Sequence, residues 1–434
     1  MKKIVSAVAL AAVAAGLATA DVKTSLNVRL GSNVFDKTVA GDKSGKDDTL
    51  TIGDMDAVTG TDALTFKASN DYAGVTLNYN PKLSTTTDNS AKNFWASGNG
   101  VELTGYLNPA DWLQLKVGAH KDGIFYAEQV KKDTDDTNWS AAGKYAFLNK
   151  LGIQTKASTG YYLDSMTDVQ NGGQLFGLAD FKAGVGGGNL LVRLTAVDAY
   201  DNTTSKAAVD WLQDTSKAAD DAKMYVVPGA MVAFKNDAVN VNLDFQMPTN
   251  KDIAFGIYAS PLGLLDGALT GVLGFTFSTN TSDTTDNLGW SGITRDTSFY
   301  AVDFRVRYVA GDFHIANAFN FTGSSEDDAV KPANSLSGKT GDLNIWDAIF
   351  LTYKLNDNWT ITGDVQVNAT TGVGANDDTY LDLYVTPGVM YTAGKGATIT
   401  TGLYMAFKDV TDSAEGTLDK STEIALPVIF RVKL

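Results

Sequence analysis

The chain contains no cysteine and only two histidines in 434 residues. Without cysteine, no disulfide can staple the fold and no lipid can be attached through a thiol. The histidines, His120 and His314, belong to no motif with a serine and a carboxylate, and they lie far apart in the sequence. The sequence therefore predicts neither an enzyme nor a transition-metal site. No cofactor is predicted, and the acidic stretch 42–48 could bind Ca²⁺ only weakly, because it lacks the fixed ligand spacing of a calcium loop.

Long apolar runs are also missing, apart from one near the start. Lys2 and Lys3 precede an apolar run over 4–18, and small residues, Ala18 and Ala20, precede Asp21. This pattern predicts a secretory signal peptide over 1–20, cleaved after Ala20, and a mature chain of 21–434. A membrane-anchor helix is the alternative, but the run is shorter than the ~20 residues that a spanning helix needs. Elsewhere no apolar run is long enough for a membrane helix, and a net charge of -15 argues against nucleic-acid binding.

Alternation of apolar and polar residues recurs through the remainder of the chain. Examples are W-L-Q-L-K-V-G-A from Trp112, A-V-N-V-N-L-D-F-Q-M from Ala238 and W-T-I-T-G-D-V-Q-V-N-A from Trp359. A period of two residues is that of a β-strand with one apolar face, and 9–11 residues suffice for a tilted strand to cross a membrane. The last segment, I-A-L-P-V-I-F-R-V-K-L from Ile424, keeps this alternation to the final residue. The pattern predicts an all-β protein.

The connections between these segments alternate in length. Short polar turns are predicted at 69–71, 108–111, 149–150, 184–188, 236–237, 310–311, 356–358 and 393–396. Between them lie mostly long polar stretches: 35–61, 123–138, 200–221, 280–296, 323–342 and 409–421. This alternation is typical of an up-and-down antiparallel transmembrane β-barrel with short periplasmic turns and long extracellular loops. We count about 20 strands, with 18 or 16 also open. The last strand keeps its register because it must pair with the first and close the barrel.

In these features the mature chain resembles an outer-membrane porin of a bacterium with two membranes. The resemblance implies an integral protein of the outer membrane that forms a water-filled channel for passive diffusion of small hydrophilic solutes and ions. Its expected partners are outer-membrane lipid, those solutes and the barrel-insertion machinery, and both a monomer and a homotrimer are open. The chain ends in Leu434, whereas most such barrels end in an aromatic residue, so the subfamily is not identified.

Charge distinguishes the two faces of the predicted strands. In A-V-D-F-R-V-R-Y, Asp303, Arg305 and Arg307 share one face. An arginine that faces lipid at mid-depth costs ~2–4 kcal/mol, so this face must be the lumenal one. The same test predicts a set of pore-lining residues: Arg29, Lys67, Glu102, Lys116, Lys156, Arg193, Lys235, Asp244, Asp303, Arg305, Arg307, Lys354, Asp364 and Asp382. These charges either form an electrostatic sieve or merely pair across the lumen and solvate it.

Aromatic residues recur near the predicted turns, which is typical of a girdle at a membrane interface. The residues concerned are Tyr79, Trp112, Tyr145, Phe147, Tyr308, Phe313, Tyr353, Trp359 and Tyr391. Ordinary packing of aromatic side chains between strands is the alternative.

A stretch rich in alanine and charge over 205–223 predicts a helix, either at the pore mouth or in an external loop without a gating role. A passive channel is favoured over a gated transporter, which would need a plug domain before the first strand. The alternative function is a surface barrel that acts as an adhesin or binds a host ligand through its long loops.

Overall fold

A computed structural model gives the structure of the chain in twelve stretches. They are residues 21–41, 49–56, 64–79, 101–120, 174–199, 225–246, 253–280, 297–324, 341–373, 378–394, 396–411 and 420–433. Several predictions lie outside these residues: the signal peptide, the turn at 149–150, the helix over 205–223 and the acidic stretch 42–48. In the described part, no helix is both long enough and apolar enough to cross a bilayer.

The described residues form twenty β-strands and one short 3-10 turn, Leu265–Gly267. The strands are β1 (Asp21–Ala40), β2 (Thr49–Asp56), β3 (Leu64–Ser69), β4 (Ala73–Tyr79), β5 (Val101–Ala110), β6 (Leu113–His120), β7 (Gln174–Val185), β8 (Gly188–Ala199), β9 (Tyr225–Lys235), β10 (Val239–Gln246), β11 (Ala254–Pro261), β12 (Leu269–Asn280), β13 (Thr297–Ala310), β14 (Phe313–Ser324), β15 (Leu343–Lys354), β16 (Trp359–Val373), β17 (Asp378–Thr392), β18 (Ala397–Gly402), β19 (Tyr404–Lys408) and β20 (Ser421–Lys433).

All the strand pairings are antiparallel, and together they close a ring. Each strand from β3 to β17 pairs with its successor in the chain, and β20 pairs with β1 over almost its whole length. The predicted all-β barrel is confirmed, as is the pairing of the last strand with the first. The ring closes because an edge strand would leave a row of backbone N–H and C=O groups without partners.

The twenty strands occupy eighteen positions around the ring. β2 and β3 both pair with β1, β2 with its second half and β3 with its first, so they share one position. Likewise β18 and β19 both lie between β17 and β20, interrupted only at Leu403. Twenty strands less these two shared positions leave eighteen. This number falls within the range that the sequence left open.

An asparagine side chain stabilises three of the short turns in the same way. In each, the Oδ1 atom of an asparagine accepts hydrogen bonds from the backbone N–H groups two and three residues later, at 2.8–3.0 Å. The asparagines are Asn70, Asn236 and Asn356. This is the Asx-turn geometry that favours asparagine at tight connections. In two other turns Gly186, Gly187 and Gly311 adopt positive φ angles of 56–75°, which side chains with a Cβ rarely tolerate.

The described short turns lie at one rim of the ring, which we call the turn rim. It includes the turn at 262–268, which the sequence analysis did not identify. β1 begins at this rim, where Asp21 pairs with Ser69, and β20 ends at it. At the opposite rim, here the loop rim, the longer connections leave the strands, and most of them lie outside the described residues.

The two faces of the sheet alternate in exposure as the sequence pattern predicts. In β20, Glu423, Ala425 and Arg431 are buried, whereas Ile424 and Phe430 between them are exposed. In the closed ring the buried, mostly polar face is the inner wall, and the exposed, apolar face is the outer surface. The inner wall also carries clusters of buried apolar residues, such as Met231, Ala233 and Tyr258.

Candidate functional site on the inner wall of the barrel

Nine of the predicted pore-lining residues have described side chains, and all nine stand at inner-wall positions: Lys67, Lys116, Arg193, Lys235, Asp244, Arg307, Lys354, Asp364 and Asp382. Four others occupy inward positions in the strand register, although their side chains lie outside the described part: Arg29, Glu102, Asp303 and Arg305. Lys156 lies outside the described residues altogether.

A buried ion pair joins two neighbouring strands of this wall. The Nε and Nη2 atoms of Arg193 on β8 donate to the two carboxylate oxygens of Asp180 on β7, at 2.6 and 2.8 Å. Arg193 is 3% exposed and Asp180 is 2% exposed. The two residues face each other directly in the strand register, which suits the forked geometry of a guanidinium and a carboxylate. Arg193 is therefore neutralised locally, and Asp180 was missed in the sequence analysis.

Three further bases surround this pair. Lys116 on β6, Lys182 on β7 and Lys235 on β9 stand on the same wall, and Lys182 is exposed. We call Lys116, Asp180, Lys182, Arg193 and Lys235 the basic arc. Its four bases and one acid have a formal charge of +3. Asp180 and Lys182 could have been recognised from the sequence, since A-D-F-K places them two residues apart on the same strand face as Leu178.

The basic arc borders a cavity of about 580 Å³ near the turn rim. Its lining includes Asp111 of the turn before β6 and polar side chains of three strands, namely Gln114, Lys116, Asp180, Lys182, Asn189 and Arg193. Gln114 also donates to the Oδ1 atom of Asn108 at 2.7 Å, so the chain at the end of β5 is held beside the cavity. The cavity could accept a small anionic or polar group between its cations.

Acidic residues dominate the wall on the other side of the ring, on β16 to β20. We call this set the acidic arc: Asp364, Asp378, Asp382, Lys408, Glu423 and Arg431. Its four acids and two bases have a formal charge of -2. In the order of eighteen positions, β16 comes ten places after β6, so the arcs lie roughly opposite each other.

Hydrogen bonds hold the carboxylates of the acidic arc in place. Asp364 accepts from Gln366 at 2.8 Å, and Gln366 in turn accepts from the indole N–H of Trp346 at 3.2 Å. Asp382 accepts from the hydroxyl of Tyr384 at 2.8 Å and from the backbone N–H of Asp409 at 3.0 Å. The ammonium of Lys408 lies 3.8 Å from Glu423. The carboxylates of Asp364 and Asp382 are thus held in place by neighbouring donors.

Solved structures similar to the chain share its barrel. OccK10 (OpdN) of Pseudomonas aeruginosa matches at 12% identity over 95% of this chain and 99% of that one, with a TM-score of 0.50. OpdO of Pseudomonas aeruginosa matches at 10% identity over 95% of this chain and 97% of that one, also with a TM-score of 0.50. A BenF-like porin from Pseudomonas fluorescens Pf-5 matches at 11% identity over 95% and 99%, with a TM-score of 0.49.

The chain has the barrel fold of outer-membrane porins. No sequence-family model and no curated protein matches it. At 10–12% identity the likeness concerns the fold, and it carries over no substrate and no site residue.

In this porin fold, aromatic side chains form a turn-end belt on the outer surface. Its members are Trp112, Phe181, Tyr308, Phe313, Tyr353, Trp359 and Tyr391. Trp112 stacks on Phe181 with ring centres 6.3 Å apart, and Trp359 contacts Tyr391 at 4.9 Å. Tyr145 and Phe147 lie outside the described residues. Tyr79 was wrongly assigned to this end, because it is the last residue of β4 and stands at the loop rim.

The porin barrel has a second group of aromatic residues near the loop rim, which the sequence analysis did not separate from the first. This loop-end belt consists of Phe255, Phe275, Phe277, Tyr300 and Phe321, whose rings contact one another at 5.6–6.1 Å. Eight residues separate Tyr300 from Tyr308 on β13. At ~3.3 Å per residue and a tilt of ~40°, the two belts are about 20 Å apart along the barrel axis.

One predicted cation lies at the turn rim rather than deep in the barrel. Lys354, at the end of β15, donates to Asp357 in the following turn at 2.8 Å. This hydrogen bond, with the charge of Lys354, lowers the pKa of Asp357 below its usual range. Both side chains are exposed, so the pair is screened by water and salt and contributes little to the field inside the lumen.

Proposed function

We propose that the protein is a porin of the bacterial outer membrane, through which small hydrophilic solutes and ions diffuse passively. The observation that carries this proposal is the closed ring of eighteen strand positions with a charged inner wall. Rings of 16–18 strands enclose an aqueous channel, whereas rings of about eight are filled by their own side chains. The apolar outer surface between two aromatic belts supports a membrane location, since such belts are typical of membrane interfaces.

The inner wall supports a narrow channel. Several of its side chains are almost completely buried, among them Gln366 and Asn368 at 0% exposure. Apolar residues such as Phe350 and Tyr258 are packed on the same wall. The wall side chains therefore occupy part of the lumen, and we expect only small solutes to pass. The adhesin alternative depends on the long connections, most of which lie outside the described residues.

We further propose a mild preference for anions. Inward arginines and lysines of the predicted pore lining support this preference, but Arg193 contributes little because Asp180 neutralises it. We assign the larger share to Lys182 and Lys235 of the basic arc. A formal charge of +3 on the basic arc faces -2 on the acidic arc, so the two arcs leave a small positive excess. Fixed charge on a channel wall raises the local concentration of counter-ions, and salt screens it over ~10 Å at 0.1 M.

Single-channel recording in a planar bilayer tests the channel. The mature chain, folded in detergent and shown to migrate differently on gels before and after boiling, should produce discrete conductance steps. The boiled sample should produce none. A folded, correctly inserted barrel without conductance would contradict the proposal.

Reversal potentials in a KCl gradient test the selectivity. The unmodified channel should prefer chloride, and the preference should weaken as the salt concentration rises. Lys182→Glu combined with Lys235→Glu should move the selectivity toward potassium. Lys37→Glu is the matched control, because Lys37 is exposed on the outer face of β1. A preference for potassium in the unmodified channel, or an equal shift in the control, would show that the basic arc does not set the selectivity.

A further inference from the structure

The charges of the inner wall are sorted along the barrel axis as well as around it. Within four residues of the turn rim, seven bases with described side chains face the lumen: Lys23, Lys67, Lys116, Lys182, Lys235, Arg307 and Arg431. Lys354 lies at this level too, but it is paired with Asp357. Asp21 is the only inward acid of this region whose side chain is described. We call the seven bases and Asp21 the turn zone, which has a formal charge of +6.

Acids predominate at the other end of the same wall. Within five residues of the loop rim, the described part of the wall carries four acids and one base: Asp36, Asp378, Asp382, Glu423 and Lys408. We call this set the loop zone, and its formal charge is -3. Between the zones Asp180, Arg193, Asp244 and Asp364 each stand sixth from the turn rim on their strands, and they add -2. The charge of the inner wall therefore changes sign from one rim to the other.

The distance between the zones is long enough to keep their fields apart. The last strand, β20, carries a member of each zone, and eight residues separate Glu423 from Arg431. At ~3.3 Å per residue and a tilt of ~40°, this is about 20 Å along the barrel axis. The Debye length is ~10 Å at 0.1 M salt, so the two zones act as separate regions. An ion that crosses the channel meets one sign of wall charge and then the other.

The turns between strands carry acids that weaken the positive field at the turn rim. They are Asp71, Asp111, Asp237, Asp266, Asp312 and Asp357, and all six are exposed. They lie in the turns, beyond the ends of the strands, where water and salt screen them most strongly. The bases of the turn zone stand on the wall itself, where low-dielectric surroundings focus their field on the lumen. The turn acids thus reduce the contrast between the zones without reversing it.

We propose that the channel rectifies ionic current, and that it conducts better when the side of the loop rim is positive. This inference rests on the proposed function as a channel, and it goes beyond the preference for anions. The anion preference depends on the excess charge of the two arcs. Rectification depends on the order of the charges along the axis, and a wall with the same total charge spread evenly would not produce it.

The direction follows from which zone each kind of ion enters first. When the side of the loop rim is positive, cations enter through the acidic loop zone and anions enter through the basic turn zone. Each kind of ion is attracted by the zone at its entrance, so both accumulate in the lumen. When the voltage is reversed, each kind must enter through the zone of its own sign. Both are then depleted from the lumen, and the current falls.

Single-channel currents at equal voltages of opposite sign test the proposal. In 0.1 M KCl on both sides, we expect the open-channel currents to differ roughly twofold. In 1 M KCl, where the Debye length is ~3 Å, the ratio should approach one. Asp71→Cys marks the orientation, since the chain has no other cysteine. A bulky maleimide added to one chamber should alter the current only when the turn rim faces that chamber.

A graded pair of variants assigns the effect to the turn zone. Changing Lys23, Lys67 and Lys182 to glutamine lowers the formal charge of the zone from +6 to +3, and changing them to glutamate lowers it to 0. All three side chains are exposed, and gel migration before and after boiling checks that each variant folds. The current ratio should fall in the glutamine variant and reach about one in the glutamate variant. Lys37→Glu is the control, because Lys37 lies on the outer face of β1 and should leave the ratio unchanged.

Several results would overturn the proposal while the channel itself stands. They are equal currents at both signs of voltage in 0.1 M KCl, a ratio that persists in 1 M KCl, a larger current when the turn rim is positive, and a ratio that is the same in the glutamate variant. A ratio altered as much by Lys37→Glu would also contradict the role of the turn zone. A folded barrel without any conductance would instead refute the proposed function, and this inference with it.

Discussion

An arginine placed on the outer face of β20 should destabilise the barrel by an amount that depends on its depth. Val432, Phe430 and Val428 stand at successive outward positions, starting next to the turn rim. Two residues along a strand advance ~6.6 Å, or about 5 Å along the barrel axis at a tilt of ~40°. Val428 is therefore about 10 Å farther from the turn rim than Val432, close to the middle of an apolar band ~25 Å tall.

The expected cost follows from this depth. An outward arginine costs ~2–4 kcal/mol at the midplane and ~0–1 kcal/mol near an interface. We expect Val428→Arg to lower the free energy of unfolding by ~2–4 kcal/mol and Val432→Arg by at most ~1 kcal/mol, with Phe430→Arg between them. A loss of ~2–4 kcal/mol lowers the ratio of folded to unfolded chains by roughly 30- to 900-fold.

Urea-dependent folding into lipid vesicles measures this series, with the folded fraction read from gel migration without boiling. Linear extrapolation to zero urea gives the free energy of unfolding of each variant. Arg431→Gln is the control, because it changes the inner wall of the same strand and places no charge in lipid. Equal losses at all three positions would refute the assignment of depth. A loss for Arg431→Gln as large as that for Val428→Arg would refute the assignment of faces.

Two further predictions concern the inner wall and the turns. Asp180→Ala should lower the free energy of unfolding by ~3–5 kcal/mol, because it removes the carboxylate that pairs with the buried Arg193. The double variant Asp180→Leu with Arg193→Met should lower it much less, since it removes both charges. Urea unfolding measures both variants, and equal losses of free energy would contradict the prediction. Asn236→Ala should lower the free energy of unfolding by ~1–3 kcal/mol, since two hydrogen bonds of ~0.5–1.5 kcal/mol each disappear. Asn236→Asp should retain most of this stability, because the acceptor oxygen remains. An equal loss of stability in Asn236→Asp and Asn236→Ala would contradict the Asx-turn explanation.

Much of the fold could be predicted from the sequence because its signals are local. Alternation in β20 identified both faces of that strand, and Asn236 and Asn356 marked turns whose geometry depends on their own side chains. The number of strand positions in the ring was harder to predict from the sequence. The sharing of one position by β2 and β3 depends on pairing with β1, which is distant in sequence from β3.

The candidate site was less predictable than the fold. The sequence indicates on which face Arg193 stands, but its neutralisation depends on the register that puts Asp180 opposite it on another strand. The hydrogen bond from Trp346 to Gln366 likewise joins residues 20 positions apart, on β15 and β16. Tyr79 was placed at the wrong end because proximity to a turn in the sequence does not show which rim a strand end reaches. Pairings between strands decide all three cases, and alternation within one strand cannot reveal them.

The difference between the two rims has a consequence for how the barrel enters a bilayer. Connections at the turn rim are a few residues long, whereas at the loop rim the connection between β6 and β7 alone spans 121–173. Moving polar backbone through hydrocarbon costs several kcal/mol for each unsatisfied group, so an unassisted barrel should enter with the turn rim first. It would then leave its long connections on the side from which it was added. In the proposed location the barrel is added from the periplasm and needs the opposite orientation, with its long connections outside the cell. These connections must therefore cross the bilayer during insertion. We expect this step to require the barrel-insertion machinery.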